Sequence, residues 1–253
     1  MVVRVAAINY LNTIPFVYGL ENSSVREQIE LTFCTPSQAA DRLISNDIDL
    51  GIVPVATLFE HSSFKVVSDF CIASDNEVKS VLLCSGKRLE DISEILLDMD
   101  SRTSAMLVQV LSKNYWNIDP KFSQFNFTAS ELDTEASYLL IGDKALKRAG
   151  DFKYVYDLAA EWRKFTGKPF VFALWVANKE LPAEFVEKFN AALGFGVANI
   201  PNSVEKYNDG FEVSAALDYL NNNISFKLNE YKRDGLSDFW SQALAILKSR
   251  VRW

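Results

Sequence analysis

The sequence predicts a two-lobed α/β fold with a ligand cleft between the lobes. Three observations favour this fold: strand-like and helix-like segments alternate twice along the 253 residues, long apolar strands join the two stretches, and no flexible linker separates them. Such alternation indicates parallel sheets with right-handed crossovers. A chain that passes twice between lobes is typical of hinged binding folds. A single doubly wound sheet is the alternative.

The first alternation occupies the amino-terminal part of the chain. It begins with residues 2–8, a short apolar run that is typical of a buried parallel strand. The second helix follows Thr35-Pro36, and Ser37 is its predicted N-cap. The predicted elements, in order, are a strand at 2–8, a helix at 14–20, a strand at 29–34, a helix at 35–44, a strand at 49–53 that ends at Pro54, and apolar runs at 64–73 and 78–85.

The second alternation begins near residue 95 and leads into a helical remainder. The run at 170–177 is too apolar for a surface element and is predicted to be a buried strand. The last helix is expected to begin at Gly235 and Ser237. The predicted elements are a strand at 95–99, helices at 104–111 and 144–148, strands at 138–141 and 170–177, and helices at 182–200, 213–222 and 236–251.

These elements predict where the lobes begin and end. Residues 1–85 and 176–253 are expected to form the first, discontinuous lobe, and residues 86–175 the second. The chain is expected to cross between them near 78–85 and near 170–177.

Composition excludes several classes of function. The sequence is 49% hydrophobic with 18 Phe, which is enough for a sizeable core. The net charge of −7 argues against nucleic-acid or anionic-membrane binding, although a few backbone amides can still hold a small anion. No apolar stretch approaches a membrane span, and the first residues lack the pattern of a secretory signal. We therefore expect a cytoplasmic protein, and the sequence leaves its oligomeric state open.

Cysteine and histidine usage predicts no disulfide and no metal site. Cys34, Cys71 and Cys84 lie in apolar runs without a CxxC pair, so we expect unpaired thiols. The one histidine, His61, lies in a polar turn and is expected to be a solvated surface residue. No Gly-rich phosphate loop, HExxH motif or nucleophile elbow is present, so no cofactor is expected.

A group of polar residues follows the first predicted strand. The apolar run at 2–8 is succeeded by an amide, a phenol, a second amide and a hydroxyl. Ligands of open α/β sheets bind at the carboxyl ends of strands, and Tyr10 and Asn12 offer neutral groups suited to a small oxygenated molecule. The alternative is that Asn12 and Thr13 only cap a helix that has Pro15 in its first turn.

More polar groups lie in the second alternation. Ser80 precedes an apolar strand on the first expected crossing. Ser101-Arg102-Thr103-Ser104 begins a helix, where hydroxyls and free N–H groups make either an anion site or an N-cap beside a surface arginine. Gly142 ends a strand and permits close backbone approach. Asp143 is a further site candidate or the N-cap of the helix at 144–148.

Residues 157–162 contain two acidic residues and a tryptophan, which we interpret as a structural acidic patch with a packed aromatic. Together with other short motifs they form an ordered set that covers nearly the whole chain. The motifs are Tyr10-Leu11-Asn12-Thr13-Ile14-Pro15, Gly51-Ile52-Val53-Pro54-Val55-Ala56, Ser80-Val81-Leu82-Leu83, Ser101-Arg102-Thr103-Ser104, Ile141-Gly142-Asp143-Lys144-Ala145-Leu146, Asp157-Leu158-x-x-Glu161-Trp162, Thr166-Gly167-x-Pro169-Phe170-Val171-Phe172-Ala173-x-Trp175, Tyr219-Leu220 and Gly235-Leu236-x-x-Phe239.

This ordered set resembles the chorismate dehydratases of the futalosine route to menaquinone. The resemblance implies a type II periplasmic-binding-protein-like fold without a cofactor, and elimination of water from the dicarboxylate chorismate to give 3-[(1-carboxyvinyl)oxy]benzoate. It implies catalytic roles for Asn12 and Ser80. Ala159 departs from the glycine expected in the acidic motif, which weakens Glu161 as a site candidate. The expected substrate-binding residues are Tyr10, Pro54, Arg102, Thr103, Ser104, Gly142 and Asp143.

The lack of a suitable histidine agrees with this chemistry. Loss of water makes the ring aromatic, so a carboxylate of the substrate can act as the base, with Asn12 and Ser80 orienting the reacting groups. Two alternatives are a non-catalytic solute-binding protein for a small anion and the dihydroxynaphthoate synthase of the same pathway. The latter resembles this chain in fold but has a different first loop and a catalytic histidine.

Overall fold

The computed structural model describes residues 2–127 and 132–250, which divide into two compact units. The first unit contains the chain up to Ala73 together with Val171–Asn229, and the second contains Ser74–Phe170 together with the segment from Glu230. Each unit has its own β-sheet, so the alternative of one doubly wound sheet does not hold for the described residues.

Strands and helices alternate as the sequence predicts. The strands, in chain order, are β1 (Val3–Ile8), β2 (Ile29–Cys34), β3 (Leu50–Pro54), β4 (Lys65–Ser74), β5 (Val81–Ser85), β6 (Glu94–Asp98), β7 (Lys121–Phe125), β8 (Ser137–Ile141), β9 (Tyr154–Asp157), β10 (Phe170–Ala177) and β11 (Ser225–Lys227). The α-helices are α1 (Ile14–Glu21), α2 (Pro36–Ile44), α3 (Thr57–Glu60), α4 (Thr103–Leu111), α5 (Gly142–Arg148), α6 (Leu158–Thr166), α7 (Ala183–Ala198), α8 (Ile200–Tyr207), α9 (Val213–Asp218) and α10 (Glu230–Arg250).

The sheet of the first unit has the strand order β11-β4-β10-β3-β1-β2. β1 is parallel to both of its neighbours, with Val5 opposite Leu31 of β2 and Leu50 of β3. The prediction of a buried parallel strand at the start of the chain is therefore confirmed. Because these three strands run the same way, the residues that follow β1, β2 and β3 meet at one edge of the sheet.

The core of the first unit is rich in aromatic side chains. Phe16 on α1 lies edge-on to Phe70, Trp175 and Phe226, with ring centroids 6.1, 5.9 and 5.3 Å away. Such pairs add to the stabilisation from burial alone. The aromatic cluster therefore anchors α1 against the sheet at the point where the polar turn after β1 ends.

The sheet of the second unit has the strand order β7-β6-β8-β5-β9. β6 is parallel to β7 and β8, whereas β5 is antiparallel to β8 and β9. The amino end of β5 therefore lies at the same sheet edge as the carboxyl ends of β6 and β8. The core contains Trp162, Phe170 and Phe239, whose ring centroids are 4.9 to 6.1 Å apart.

The structure divides the chain at different residues from those predicted. β5 belongs to the sheet of the second unit, and not to the first lobe, because it pairs with β8 and β9. The segment from Glu230 also belongs to the second unit, where Lys168 pairs with Asp234 at 2.8 Å and with Asp238 at 2.6 Å. The predicted lobes of 1–85 with 176–253, and of 86–175, therefore differ from the observed units in three segments: residues 74–85, residues 171–175, and the segment from Glu230.

Three helix starts also differ from the sequence predictions. The N-cap of α2 is Thr35, not Ser37, because Thr35 and Gln38 form a reciprocal capping box. α5 begins at Gly142 and its N-cap is Ile141, so Asp143 lies in the first turn and is not the cap. Gly235 lies inside α10, where a Cβ would be 2.4 Å from the carbonyl oxygen of Pro169. Val251, the predicted end of this last helix, lies outside the described residues.

The three cysteines are unpaired, as predicted: Cys71 and Cys84 are buried and Cys34 is half-buried. His61 is not a fully solvated residue, because it is half-buried and its ring stacks on Phe64 with a centroid distance of 5.1 Å. No helix among the described residues is long and apolar enough to cross a membrane.

Candidate functional site

The polar turn that follows β1 is a tight reversal at the edge of the first sheet. Tyr10 is extended, and a 3-10 turn at Leu11–Thr13 leads directly into α1. The Thr13 N–H donates to the Tyr10 carbonyl oxygen at 3.0 Å, and the Asn9 N–H donates to the Cys34 carbonyl oxygen of β2 at 3.2 Å. These bonds hold the turn in place at the carboxyl ends of β1 and β2.

Asn12 projects from this turn with its amide already oriented. The hydroxyl of Thr13, which is fully buried, donates to Asn12 Oδ1 at 3.0 Å. Neither the 3-10 turn nor α1 has a side-chain cap at its start, so the interpretation of Asn12 and Thr13 as mere capping residues is not supported. Asn12 is half-buried, which is compatible with contact to a small molecule.

Tyr10 and Pro54 lie at the same sheet edge as Asn12. Pro54 is the last residue of β3, is buried, and pairs with Ala173 of β10. Since β1 and β3 are adjacent and parallel, the turn after β1 and the end of β3 are neighbours. The structure thus brings together the three site residues predicted in the first unit.

Ser80 and Gly142 are adjacent in the second unit. Ser80 is 1% exposed and immediately precedes β5, and its carbonyl oxygen accepts a hydrogen bond from the Gly142 N–H at 2.8 Å. The next residues, Val81 and Ile141, are opposite each other in the antiparallel ladder. Gly142 has φ of 60°, a left-handed conformation that glycine adopts without steric cost.

The start of α4 lies at this same edge, because β6 and β8 are parallel neighbours. Thr103 and Ser104 form the first turn and are buried, while Arg102 before them is half-buried. The N–H groups of a first helical turn have no partner within the helix and favour anions. Ser101 Oγ already accepts the N–H of Ala105 at 3.2 Å.

An ion-pair cluster connects α5, which follows β8 directly, with the end of β6 and the residues after it. Lys144, which follows Asp143 in α5, lies 2.6 Å from Asp98 and 3.5 Å from Asp100. Asp98 is 3% exposed, so its pairing with Lys144 compensates a buried charge. The cluster holds the starts of α4 and α5 side by side, and the six site residues predicted in the second unit therefore share one edge.

Asp157 is a residue whose role the sequence did not reveal. Its Oδ2 accepts the N–H groups of Val78 at 2.9 Å and Lys79 at 2.7 Å, just before Ser80. Its Oδ1 accepts the N–H groups of Ala159 at 3.0 Å and Ala160 at 3.1 Å, and so caps α6. Burial raises the pKa of Asp157, against the lowering effect of these four donors.

The neighbouring Glu161 and Trp162 have structural roles, in line with the interpretation from sequence. Glu161 accepts the indole N–H of Trp116 at 2.9 Å and pairs with Lys164 at 2.6 Å. Trp162 is fully buried, and its indole N–H donates to the Pro169 carbonyl oxygen at 3.2 Å. No cluster of three or more His, Cys, Asp or Glu side chains in the described part of the chain is arranged to hold a metal ion.

Comparisons with known proteins extend these observations. The model of a family described as menaquinone biosynthesis matches residues 3–245. The chain is 27% identical over 192 residues to the chorismate dehydratase of Thermus thermophilus, with 68% of this chain and 69% of that protein covered. A crystal structure of an Archaeoglobus fulgidus protein has a TM-score of 0.75 at 13% identity, with 96% of this chain and 97% of that chain covered.

The periplasmic aliphatic sulphonate binding protein SsuA of Escherichia coli has a TM-score of 0.58 at 14% identity, with 99% of this chain and 93% of that chain covered. At such low identity these two solved structures bear on the fold alone. They confirm the predicted periplasmic-binding-protein-like fold.

Proposed function

Since the chain belongs to the menaquinone biosynthesis family, we propose that it is a chorismate dehydratase, which converts chorismate into 3-[(1-carboxyvinyl)oxy]benzoate and water. The similarity to the Thermus thermophilus chorismate dehydratase is the observation that carries this proposal. The reaction is a loss of water, so it needs no redox step. In this reaction the ring of chorismate loses one proton and one hydroxide.

The reaction requires little driving force from the protein. A proton leaves the ring carbon that carries the enolpyruvyl ether, the C–H electron pair becomes a ring double bond to the adjacent carbon, and hydroxide leaves that adjacent carbon with the electrons of the C–O bond. The ring becomes aromatic in the process. A carboxylate of the substrate accepts the proton in our proposal, and the proton and hydroxide together make the water that is released.

Asn12 is proposed to orient the carboxylate that acts as the base. Thr13 holds Asn12 Oδ1 at 3.0 Å, so the amide group is fixed before substrate arrives. An oriented amide N–H donor can hold a carboxylate in the reactive geometry, and such preorganisation lowers the barrier by several kcal/mol. Tyr10 and Pro54, at the same sheet edge, are proposed to contact the substrate.

Ser80 is proposed to bind the substrate or the departing oxygen through its hydroxyl. Its backbone carbonyl oxygen accepts the Gly142 N–H at 2.8 Å, which holds the backbone of Ser80 beside the start of α5. The helix start at Arg102, Thr103 and Ser104 offers a cationic side chain, two hydroxyls and backbone N–H groups, which match a carboxylate. Gly142 and Asp143 complete the set of proposed substrate contacts.

The proposal includes a cytoplasmic location, where chorismate is made and free thiols persist. Three unpaired cysteines support this location without requiring it.

Asn12→Asp tests the proposed catalytic role most cleanly. The aspartate keeps an acceptor for the Thr13 hydroxyl, so the turn should be preserved, but it replaces the N–H donor with a negative charge facing a carboxylate. We expect turnover of chorismate to fall about a hundredfold or more, with the melting temperature nearly unchanged. The assay is mass spectrometry of the product formed by the purified protein.

His61→Ala is the matched control for the identity of the base. His61 packs on Phe64 in the loop after α3, and the substrate-assisted scheme gives it no part in proton transfer. We expect its turnover to stay within about twofold of the parent protein, because the substitution removes only a half-buried ring that stacks on Phe64. A folded His61→Ala protein without activity would refute the substrate-assisted scheme, and an active Asn12→Asp protein would remove Asn12 from the reaction.

A further inference from the structure

We propose that Asp157 is a positioning residue that holds the Val78–Ser80 loop and thereby fixes the Ser80 hydroxyl for the reaction. This inference rests on the proposed function, because it assigns Asp157 a role that acts through Ser80. All the contacts that support it lie within the second unit. Asp157 itself is not assigned any contact with substrate.

The carboxylate of Asp157 divides its two oxygens between two separate segments. Oδ2 accepts two consecutive backbone N–H groups, those of Val78 and Lys79, at 2.9 and 2.7 Å. Oδ1 accepts the first N–H groups of α6, at 3.0 and 3.1 Å. One side chain therefore ties the loop before β5 to the start of a helix, and four charge-assisted hydrogen bonds maintain that connection.

The loop needs such a restraint because of the conformation of Lys79. Its φ is 58°, in the left-handed region that residues with a side chain rarely adopt. Two adjacent N–H groups that converge on one anionic oxygen are the usual means of stabilising this kind of turn. Without the carboxylate, the Lys79 backbone would relax towards a commoner conformation and rotate the next residue, Ser80.

Ser80 is then fixed on both sides. The Lys79 N–H is held by Asp157 before it, and the Ser80 carbonyl oxygen is held by the Gly142 N–H at 2.8 Å after it. Without the hydrogen bonds from Asp157, the β5–β8 ladder stays in place, but the backbone of Lys79, directly before Ser80, can move. A displacement of about 1 Å in a reacting group can cost on the order of a hundredfold in rate.

Asp157→Asn separates the loop restraint from the helix cap. Asparagine is about as good an N-cap as aspartate, so its one carbonyl oxygen can keep α6 capped. The amide nitrogen then faces the N–H groups of Val78 and Lys79 and cannot accept from them. Thr166→Val is the matched control, because it perturbs the other end of α6, where Thr166 Oγ1 donates to the Trp162 carbonyl oxygen at 2.9 Å.

The first readout is hydrogen–deuterium exchange, which needs no substrate. We expect the amides of Val78 and Lys79 to exchange at least about tenfold faster in Asp157→Asn than in the parent protein, and to be unchanged in Thr166→Val. Unchanged exchange in Asp157→Asn would overturn the proposal whether or not the protein turns over chorismate.

The second readout is a double-mutant cycle on kcat for chorismate. We expect Asp157→Asn to lower kcat about tenfold or more in the parent protein but less than about twofold in a Ser80→Ala background, because its effect passes through that hydroxyl. Equal losses in both backgrounds would overturn the positioning role and leave only a general structural one. If the parent protein has no turnover, the proposed function fails, and the exchange result alone decides whether Asp157 holds the loop.

Discussion

Gly196→Ala should destabilise the first unit strongly, although alanine is the better helix former. In α7, Gly196 lies where the backbone of α1 passes closest: a Cβ at this position would be 1.8 Å from the Pro15 carbonyl oxygen and 2.9 Å from the Gly19 backbone nitrogen. Both clashing groups are backbone, so no side-chain rotation can relieve them. The two helices must move apart.

The size of the effect follows from this geometry. The closest ordinary carbon–oxygen contact is about 3.3 Å, so the helices would have to separate by about 1.5 Å at the crossing. Overpacking of a core costs about 1–3 kcal/mol, and a backbone clash belongs at the upper end of that range. A loss of about 3 kcal/mol corresponds to a fall in melting temperature of roughly 6–12 °C for a protein of this size.

Thermal denaturation of Gly196→Ala beside Gly194→Ala provides the assay. A Cβ at Gly194, in the same helix, meets only the Phe70 ring at 3.2 Å, so the gain in helix propensity of up to about 1 kcal/mol should nearly offset the tight contact. Because α1 begins directly after the Asn12 turn, Gly196→Ala should also lose turnover at temperatures where it is folded. An unchanged melting temperature for Gly196→Ala would refute the inferred close packing of α1 on α7.

Two further predictions concern buried ionisable groups. Burial alone would raise the pKa of Asp49, but hydrogen bonds from Arg4 and Lys179 outweigh it and hold that pKa well below its usual range. Its stabilising contribution should be fully present above the unfolded-state pKa of about 4 and should be lost progressively as the pH falls from there towards the depressed pKa of the folded state. The roughly 2 kcal/mol by which Asp49→Asn lowers the free energy of unfolding at pH 7 should therefore shrink in urea titrations at pH 3, and an equal difference at both pH values would contradict this. Burial raises the pKa of Cys84 to about 12, so in the native protein a thiol reagent should modify half-buried Cys34 first and leave Cys84 unreacted. After denaturant is added, the total of modified thiols should reach three without any reductant.

Much of the fold could be predicted from local patterns. The apolar runs at 2–8 and 170–177 became β1 and β10 because strands buried on both faces have little room for polar residues. β7, by contrast, has a polar residue at three of its five positions, and its pairing with β6 supplies most of what makes it a strand. Its sequence alone carries too weak a pattern to predict it.

The lobe boundaries could not be predicted because they depend on distant contacts. The membership of α10 in the second unit rests on pairs such as Lys168 with Asp238 and Phe170 with Phe239, which no local pattern indicates. The sequence pattern predicts that Gly235 begins a helix, but the residue lies inside α10. A glycine is needed there because the Pro169 carbonyl oxygen leaves no space for a Cβ. Only the three-dimensional arrangement distinguishes a glycine that begins a helix from one that allows a close backbone contact.

The residues of the candidate site were easier to predict from the sequence than the residues that hold them in place. Tyr10, Asn12 and Ser80 are polar residues at the ends of apolar strands, and that position alone marked them as candidates. The residues around Asp157 indicated only a structural acidic patch, although aspartate is a preferred N-cap and its bonds to α6 reach just two and three residues along the chain. Its bonds to Val78 and Lys79 join residues 79 and 78 positions apart, so the sequence could not reveal them.

The most direct test of the proposed activity is incubation of the purified protein with chorismate, followed by mass spectrometry of the solution. We expect many equivalents of a product lighter than chorismate by one water, with the ultraviolet absorption of a substituted benzoate, and about a hundredfold less of it with Asn12→Asp. Chorismate that binds but is recovered unchanged after long incubation would contradict this activity and would indicate a solute-binding protein instead.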